Sequence, residues 1–181
     1  MLLERIHHVA YRCHDAKQTV AFYQQTLGAE LLLAISEDRV PSTKEPDPYI
    51  HVFLDAGQGN VLAFFEITNA PPMGRDPNTP AWVQHLAFKV KDVETLLAAK
   101  ERLVGMGIDV LGPTNHELFQ SIYFFDPNGH RIELAADTAD ADMLERLRGV
   151  AHAMVEEWSQ TKQVVRHASW LHEKEMASAE G

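Results

Sequence analysis

Polar and apolar residues alternate along residues 5 to 13, with aromatic or β-branched side chains at intervals, which predicts a strand. Asp15 then offers a helix cap ahead of a stretch where Val20, Phe22, Tyr23 and Leu27 recur at helical spacing, and Gly28 stops it. Residues 29 to 35 read as a second strand. Ser36 to Pro48 carries three prolines and six charges, a composition that predicts an exposed loop. A hairpin follows, Tyr49 to Leu54 and Val61 to Ile67, turning through residues 55 to 60. The proline-rich run Asn69 to Pro80 has no apolar period and marks a boundary.

Beyond that boundary the same order returns. A strand over 82 to 90 leads to Asp92 and a helix with Val93, Leu96, Leu97 and Leu103 as its apolar residues, ending near Gly105 or Gly107. A strand at 108 to 111 and a hairpin of Ser121 to Phe125 and His130 to Ala135 complete it, with the turn Asp126-Pro127-Asn128-Gly129. The two halves also match residue by residue. His8, Ala10 and Asp15 stand 77 positions before His85, Ala87 and Asp92, and Gly28 stands 77 before Gly105. The predicted architecture is α+β: two β-α-β-β-β modules, over 4–68 and 81–136, in one domain. A C-terminal helical extension covers 138–175. There Thr138 or Asp140 caps a helix whose stripe of Met143, Leu144, Leu147, Val150, Ala151, Met154, Val155 and Trp158 predicts packing against this domain or a second subunit. The tail from Ala177 to Gly181 reads as frayed.

Composition narrows the function. A chain of 181 residues with 45% hydrophobic content is long enough for a real core. The net charge of −10 argues against nucleic acid or an anionic membrane as the main partner. No apolar run approaches a membrane span, and the N-terminus lacks the core of a signal peptide. Cys13 is the single cysteine, so there is no internal disulfide. The expectation is a soluble, cytoplasmic protein. Phosphate loops, dinucleotide glycine patterns and Gly-x-Ser-x-Gly elbows are absent from the sequence.

Candidate chemistry follows from the repeat. His8 and His85 are equivalent positions, as are Glu66 and Glu133. A lone histidine among ten is usually structural, but two repeat-related pairs of imidazole and carboxylate form a donor set for Fe(II), Zn, Ni, Mn or Co. Two buried, hydrogen-bonded His/Glu pairs without metal are the plainer alternative. His7 is expected to face away from His8 by strand alternation. His51, on a hairpin strand, is a tentative substrate contact.

These motifs carry a resemblance. His8-Val9-Ala10, Ala21-Phe22-Tyr23 with Leu27-Gly28, His85-Leu86-Ala87-Phe88 and Phe125-Asp126-Pro127-Asn128-Gly129-His130-Arg131-Ile132-Glu133 are similar to motifs of the vicinal oxygen chelate superfamily. That group includes glyoxalase I, extradiol dioxygenases, epimerases and antibiotic-resistance proteins. The resemblance covers roughly residues 4 to 136. It implies modules curled into an open cup around one metal, with His8, His85 and Glu133 as shared ligands. Thr114-Asn115-His116, then Ile122-Tyr123, then Asp126-Pro127-Asn128-Gly129 and Glu133 match the spacing of the extradiol dioxygenase signature. By that likeness His116 is an acid/base beside the metal and Tyr123 hydrogen-bonds a chelated catecholate. Glu66 resembles instead the fourth ligand and proton-abstracting base of glyoxalase I, and Arg12 its glutathione-gripping arginine. The asparagine expected four residues after that glutamate is Ala70 here.

Coordination arithmetic separates the readings. Three protein ligands on an octahedral metal leave room for a bidentate catecholate and O2. A fourth, Glu66, leaves two positions, suited to a chelated enediolate. The resemblance thus implies an Fe(II) extradiol-type ring-cleaving dioxygenase whose substrate has adjacent oxygens. A glyoxalase I-like lyase or isomerase with Glu66 as base is the runner-up. A non-catalytic small-molecule binding protein is the third class. A homodimer is expected, supported by the C-terminal helix.

Overall fold

A computed structural model describes Leu2 and residues 4–172. Its elements are β1 (Val9–Cys13), α1 (Ala16–Leu27), β2 (Leu31–Arg39), β3 (Pro46–Asp55), β4 (Val61–Ile67), β5 (Leu86–Lys89), α2 (Val93–Gly105), β6 (Leu111–Asn115), β7 (Phe119–Phe125), β8 (Arg131–Asp137) and α3 (Ala141–Thr161). A short 3-10 turn, Ser169–His172, follows. The strands form two four-stranded sheets, ordered β1-β4-β3-β2 and β5-β8-β7-β6. Both halves of the repeat therefore close a sheet in the same order, an α+β fold with a C-terminal helix. By internal contacts the chain divides into two compact units. The first is Met1–Leu86 with Gly107–Asp109 and Phe124–Ile132; the second is Ala87–Met106, Val110–Tyr123 and Glu133–Gly181.

Local chemistry explains the helix boundaries. The Asp15 carboxylate accepts from the Gln18 amide at 2.7 Å and starts α1. Gly28, at φ 70°, ends it in a left-handed turn that a side chain would strain. The buried face of α1 is not the apolar stripe alone: it is Ala16, Thr19, Tyr23 and Thr26. The two threonines tolerate burial because their hydroxyls donate back to the carbonyls of Asp15 and Phe22, at 2.7 and 2.6 Å. Asp15→Ala is expected to lower stability by about 1 kcal/mol, read as a lower melting temperature by circular dichroism with the native spectrum kept. In α2, Asp92 takes the Thr95 amide and hydroxyl, at 2.8 and 2.6 Å. The Thr95 hydroxyl first, then its amide, hold the Asp92 carboxyl below its ordinary value. Leu96 and Leu103 are fully buried on α2, while Leu97 is exposed.

The first sheet has two faces with different contents. β4 pairs β1 in parallel, Tyr11 with Phe64 and Arg12 with Phe65, and pairs β3 antiparallel, Val52 with Phe64 and His51 with Phe65. Paired residues point to the same side of a sheet and neighbours along a strand to opposite sides. Val52, Leu54, Leu62 and Phe64 thus share one side, all buried. α1 packs against β3 and β4, and the ring of its Tyr23 lies 5.1 Å from that of Phe64. Arg12, His51, Phe53, Ala63 and Phe65 share the other side.

Three expected boundaries moved. The 36 to 48 loop is mostly hairpin: β2 runs on to Arg39 and β3 begins at Pro46, with Val40 and Glu45 closing the turn through an amide–carbonyl bond of 3.0 Å. Charge did not break these strands, because both faces of β2 are exposed and impose no apolar pattern. The 82 to 90 strand shrinks to Leu86–Lys89, since Pro80 starts a turn that the Val83 amide closes at 3.0 Å. The expected 108 to 111 strand begins only at Leu111 and extends to Asn115. Asp140 caps α3, accepting from the Met143 amide at 2.8 Å. None of the α3 residues is buried, and Leu144, Val155 and Trp158 are exposed. The tail at 177 to 181 lies outside the described residues.

Candidate functional site

His8 stands just before β1, and ring contacts tie it to the Arg12 side of the first sheet. Its ring centroid is 6.3 Å from that of His51 and 6.0 Å from that of Phe53. His51 in turn stacks on Phe65, at 3.5 Å and 17°. His7 does not point away as expected: its Nδ1 lies 2.8 Å from Nδ1 of His8. Both residues precede the strand, so strand alternation does not govern them.

Two polar atoms on this face are buried with no hydrogen-bond partner among the described residues, Nε of Arg12 and Nε2 of His51. Both residues pair with the same β4 residue, Phe65, so they occupy one row across the sheet. The Arg12 guanidinium is steadied from its far end, where Nη2 donates to the Pro71 carbonyl at 2.6 Å. Burial, and secondly the neighbouring His8, lower the pKa of His51, so its neutral form is favoured. Unsatisfied buried donors and acceptors are costly, and such groups commonly await a ligand or water.

Glu66 is not in this company. It pairs with Cys13, one step out of phase with Arg12 and Phe65, and so points to the α1 side of the sheet. There its Oε2 accepts from the Ala16 amide, at 2.7 Å, in the first turn of α1. A carboxylate is favoured at that place by the free amides and the helix dipole. The repeat made Glu66 look equivalent to Glu133; it carried no sign of which face the strand would present. The β4 residues on the His8 side are Ala63 and Phe65, neither of which can ligate a metal.

The second unit builds its own polar row. Glu133 is 3% exposed, between the buried Ile132 and Leu134, which alternate to the opposite side of β8. The Ser121 hydroxyl and the Tyr123 hydroxyl both donate to its Oε1, the latter at 3.1 Å. His116 Nε2 lies 2.8 Å from the same Tyr123 oxygen. A phenol has one proton to give; with that proton on Glu133, the imidazole donates to the tyrosine oxygen. The His116 loop is fixed by its own amide, which donates to the Phe119 carbonyl at 2.9 Å. Ser121 escaped the sequence reading, although its place two residues before Tyr123 puts it on the same side of β7.

His85 is exposed and lines a cavity of about 600 Å³ in the first unit, with Tyr11, Arg75, Phe125, His130 and Arg131. Tyr11 points away from the Arg12 side of β1. His130 Nε2 donates to the Arg12 carbonyl at 2.7 Å, and its ring lies 4.8 Å from that of Tyr11. The turn that precedes it is organised by Asp126, 5% exposed, which accepts from the amides of Asn128 and His130 and from the Tyr23 hydroxyl at 3.1 Å. Burial, then Asp126, push the Tyr23 phenol far up. Burial likewise lifts the Cys13 thiol to about 11, so it is a packing residue without nucleophilic character.

Among the described residues no three His, Cys, Asp or Glu side chains stand close enough to hold a metal. By donor chemistry, two exposed imidazoles and a carboxylate oriented by two hydroxyls suit a divalent cation. Glu66 does not fit that set, since its carboxylate is committed to α1.

A sequence model of the Glyoxalase/Bleomycin resistance protein/Dioxygenase superfamily matches residues 5–134, and the chain belongs to that superfamily. Its members are generally divalent-metal enzymes acting on small molecules. Over 86 residues the chain is 28% identical to the Bacillus subtilis protein named "Putative ring-cleaving dioxygenase MhqA", 48% of this chain and only 27% of that protein's length. Over 115 residues it is 29% identical to the ethylmalonyl-CoA/methylmalonyl-CoA epimerase of Cereibacter sphaeroides, 61% of this chain and 77% of that one. Among solved structures, the fosfomycin resistance protein FosX of Listeria monocytogenes, complexed with Mn(II) and sulfate, shares the fold at a TM-score of 0.53 and 22% identity. That match covers 76% of this chain and 95% of FosX. No helix among the described residues is long and apolar enough to cross a membrane.

Proposed function

We propose that this chain is an Fe(II) extradiol-type dioxygenase opening the ring of a catecholic substrate, with His8, His85 and Glu133 as metal ligands. The observation that carries this reading is the row His116–Tyr123–Glu133, which links the signature residues of ring-cleaving enzymes by hydrogen bonds. The orientation of Glu66 supports it as well, because a three-donor set leaves room for both substrate oxygens and O2. The 28% identity to MhqA points the same way. A divalent metal held by His8, His85 and Glu133 would supply Lewis-acid chemistry that lowers the cost of ionising the substrate oxygens.

The chain's own residues supply the rest. The Ser121 and Tyr123 hydroxyls fix the Glu133 carboxylate, and the Tyr123 oxygen is itself held by His116. A substrate oxygen that competes for Tyr123 takes its hydrogen bond, while His116 gives or receives a proton at Nε2. Arg12 Nε offers a donor to a substrate anion, and neutral His51 offers Nε2 to a hydroxyl. His116→Asn is expected to lower kcat by about 100-fold while bound metal, measured by elemental analysis, stays at the wild-type level. Loss of the metal together with activity would assign His116 a structural role instead.

The epimerase relative favours a second reading, a lyase or isomerase that moves a proton beside a carbonyl. It needs a base other than Glu66, whose carboxylate serves α1. The test is oxygen uptake against catechols with Fe(II)-loaded protein. Turnover without oxygen, in the presence of Ni(II), Zn(II), Co(II) or Mn(II), supports the second reading. Small-molecule binding unaffected by His8→Ala with His85→Ala, and no bound metal, would leave a non-catalytic binding protein.

A further inference from the structure

We propose that β2 is a dimerisation edge, on which a second copy of this chain adds its own β2 in antiparallel pairing with Leu33 at the two-fold axis. Among the described residues β2 is the outermost strand of its sheet and pairs with β3 alone. Its outer rim of amides and carbonyls is therefore free to extend a ladder. Every residue of the strand is exposed, including Leu31 at 43%, Leu32 at 53%, Leu33 at 49% and Ile35 at 45%. Soluble proteins blunt such edges with charge or proline. Here five consecutive apolar residues, Leu31 to Ile35, carry neither, and the strand has two register shifts against β3, between Leu31 and Leu33 and between Glu37 and Arg39.

The sequence of the strand selects the occupant. A two-fold axis makes an edge pair with itself, so its pattern must be self-complementary. With Leu33 on the axis, Leu31 meets the partner's Ile35 and Leu32 meets the partner's Ala34, apolar against apolar. Glu30 then meets the partner's Ser36, and Glu37, Asp38 and Arg39 extend past the apolar segment. Moving the axis to Ala34 opposes Leu31 to the partner's Glu37 and Glu30 to the partner's Asp38, a like-charge pair that is unfavourable. Moving it to Leu32 puts Ile35 opposite the partner's Ala29, ahead of its strand. A net charge of −10 per chain makes the charge-free register matter more, since two acidic copies must meet where charge is least.

Sedimentation velocity of the full chain at about 50 µM tests this, with Leu33→Lys as the variant that sets two like charges on the axis. The expected result is a wild-type dimer and a monomeric variant with unchanged circular dichroism. A second measurement does not depend on that variant folding. Leu33→Cys is expected to form a disulfide-linked dimer on mild oxidation, and Ser36→Cys to form none, the native Cys13 being buried. A monomeric wild type overturns the proposal. So does a dimer that survives Leu33→Lys, or one that dissociates only when Val155 and Trp158 on α3 are changed to lysine.

Discussion

Glu133→Gln is expected to release the bound metal and lower kcat/KM at least about 100-fold, whereas Glu66→Gln leaves metal content unchanged and activity within a few-fold. The contrast follows from where the two carboxylates point. Glu133 is buried with both hydroxyl donors on Oε1, an arrangement that fixes its orientation. Glutamine keeps a carbonyl oxygen for Ser121 and Tyr123 and removes the charge, so the fold survives while the ligand is lost. Glu66 sits on the other side of its sheet and binds the Ala16 amide. Losing its charge there is expected to cost about 0.5–1 kcal/mol of stability through the helix N-terminus. Metal analysis by mass spectrometry and steady-state kinetics on the same preparations separate the two effects. Metal loss in Glu66→Gln would return Glu66 to the ligand set.

Phe64→Ala is expected to destabilise the protein by about 3–5 kcal/mol, lowering the melting temperature by roughly 10–15 °C. Phe64 has no exposed surface, packs its ring against Tyr23, and stands opposite Val52 and two residues from Leu62 on the α1 side of the sheet. Truncation removes the transfer free energy and leaves a cavity that paired strands cannot close. Its neighbour Phe65 faces the other side, half-buried beneath the stacked His51 ring. Phe65→Ala is expected to cost less than half as much stability and to act mainly on KM, by freeing His51 to move. Differential scanning calorimetry with substrate titration distinguishes them; equal losses of stability would contradict the division of labour between the two faces.

Most of the architecture was legible because the repeat carries its own check. Two stretches with the same order of elements forced the same sheet order, and Asp15, Gly28, Asp92 and Asp140 marked helix ends through capping chemistry. The failures are local and physical. A charged stretch around Glu37 and Asp38 read as a loop because strand patterning presumes one buried face, and β2 has none. Pro80 shortened β5 through a turn whose partner, Val83, is not recognisable in advance. The candidate site divides the same way. His116 and Tyr123 stood out through the resemblance to extradiol dioxygenases, and a hydrogen bond joins their side chains. For Glu66 the repeat fixes an element and not the side of it a residue faces, and its carboxylate accepts from the Ala16 amide on the α1 side. Asp126, read only as part of a turn, proves to be the acceptor for Tyr23, Asn128 and His130.

The central claim is that three donors, without Glu66, support oxygen-dependent ring cleavage. An oxygen electrode reading of the Fe(II)-loaded protein with catechol, compared with its Glu66→Gln variant, tests it most directly. The account predicts oxygen uptake matched by ring-opened product in both proteins. Anaerobic turnover with Ni(II) or Zn(II) that disappears in Glu66→Gln, with no oxygen consumed by the wild type, would contradict it.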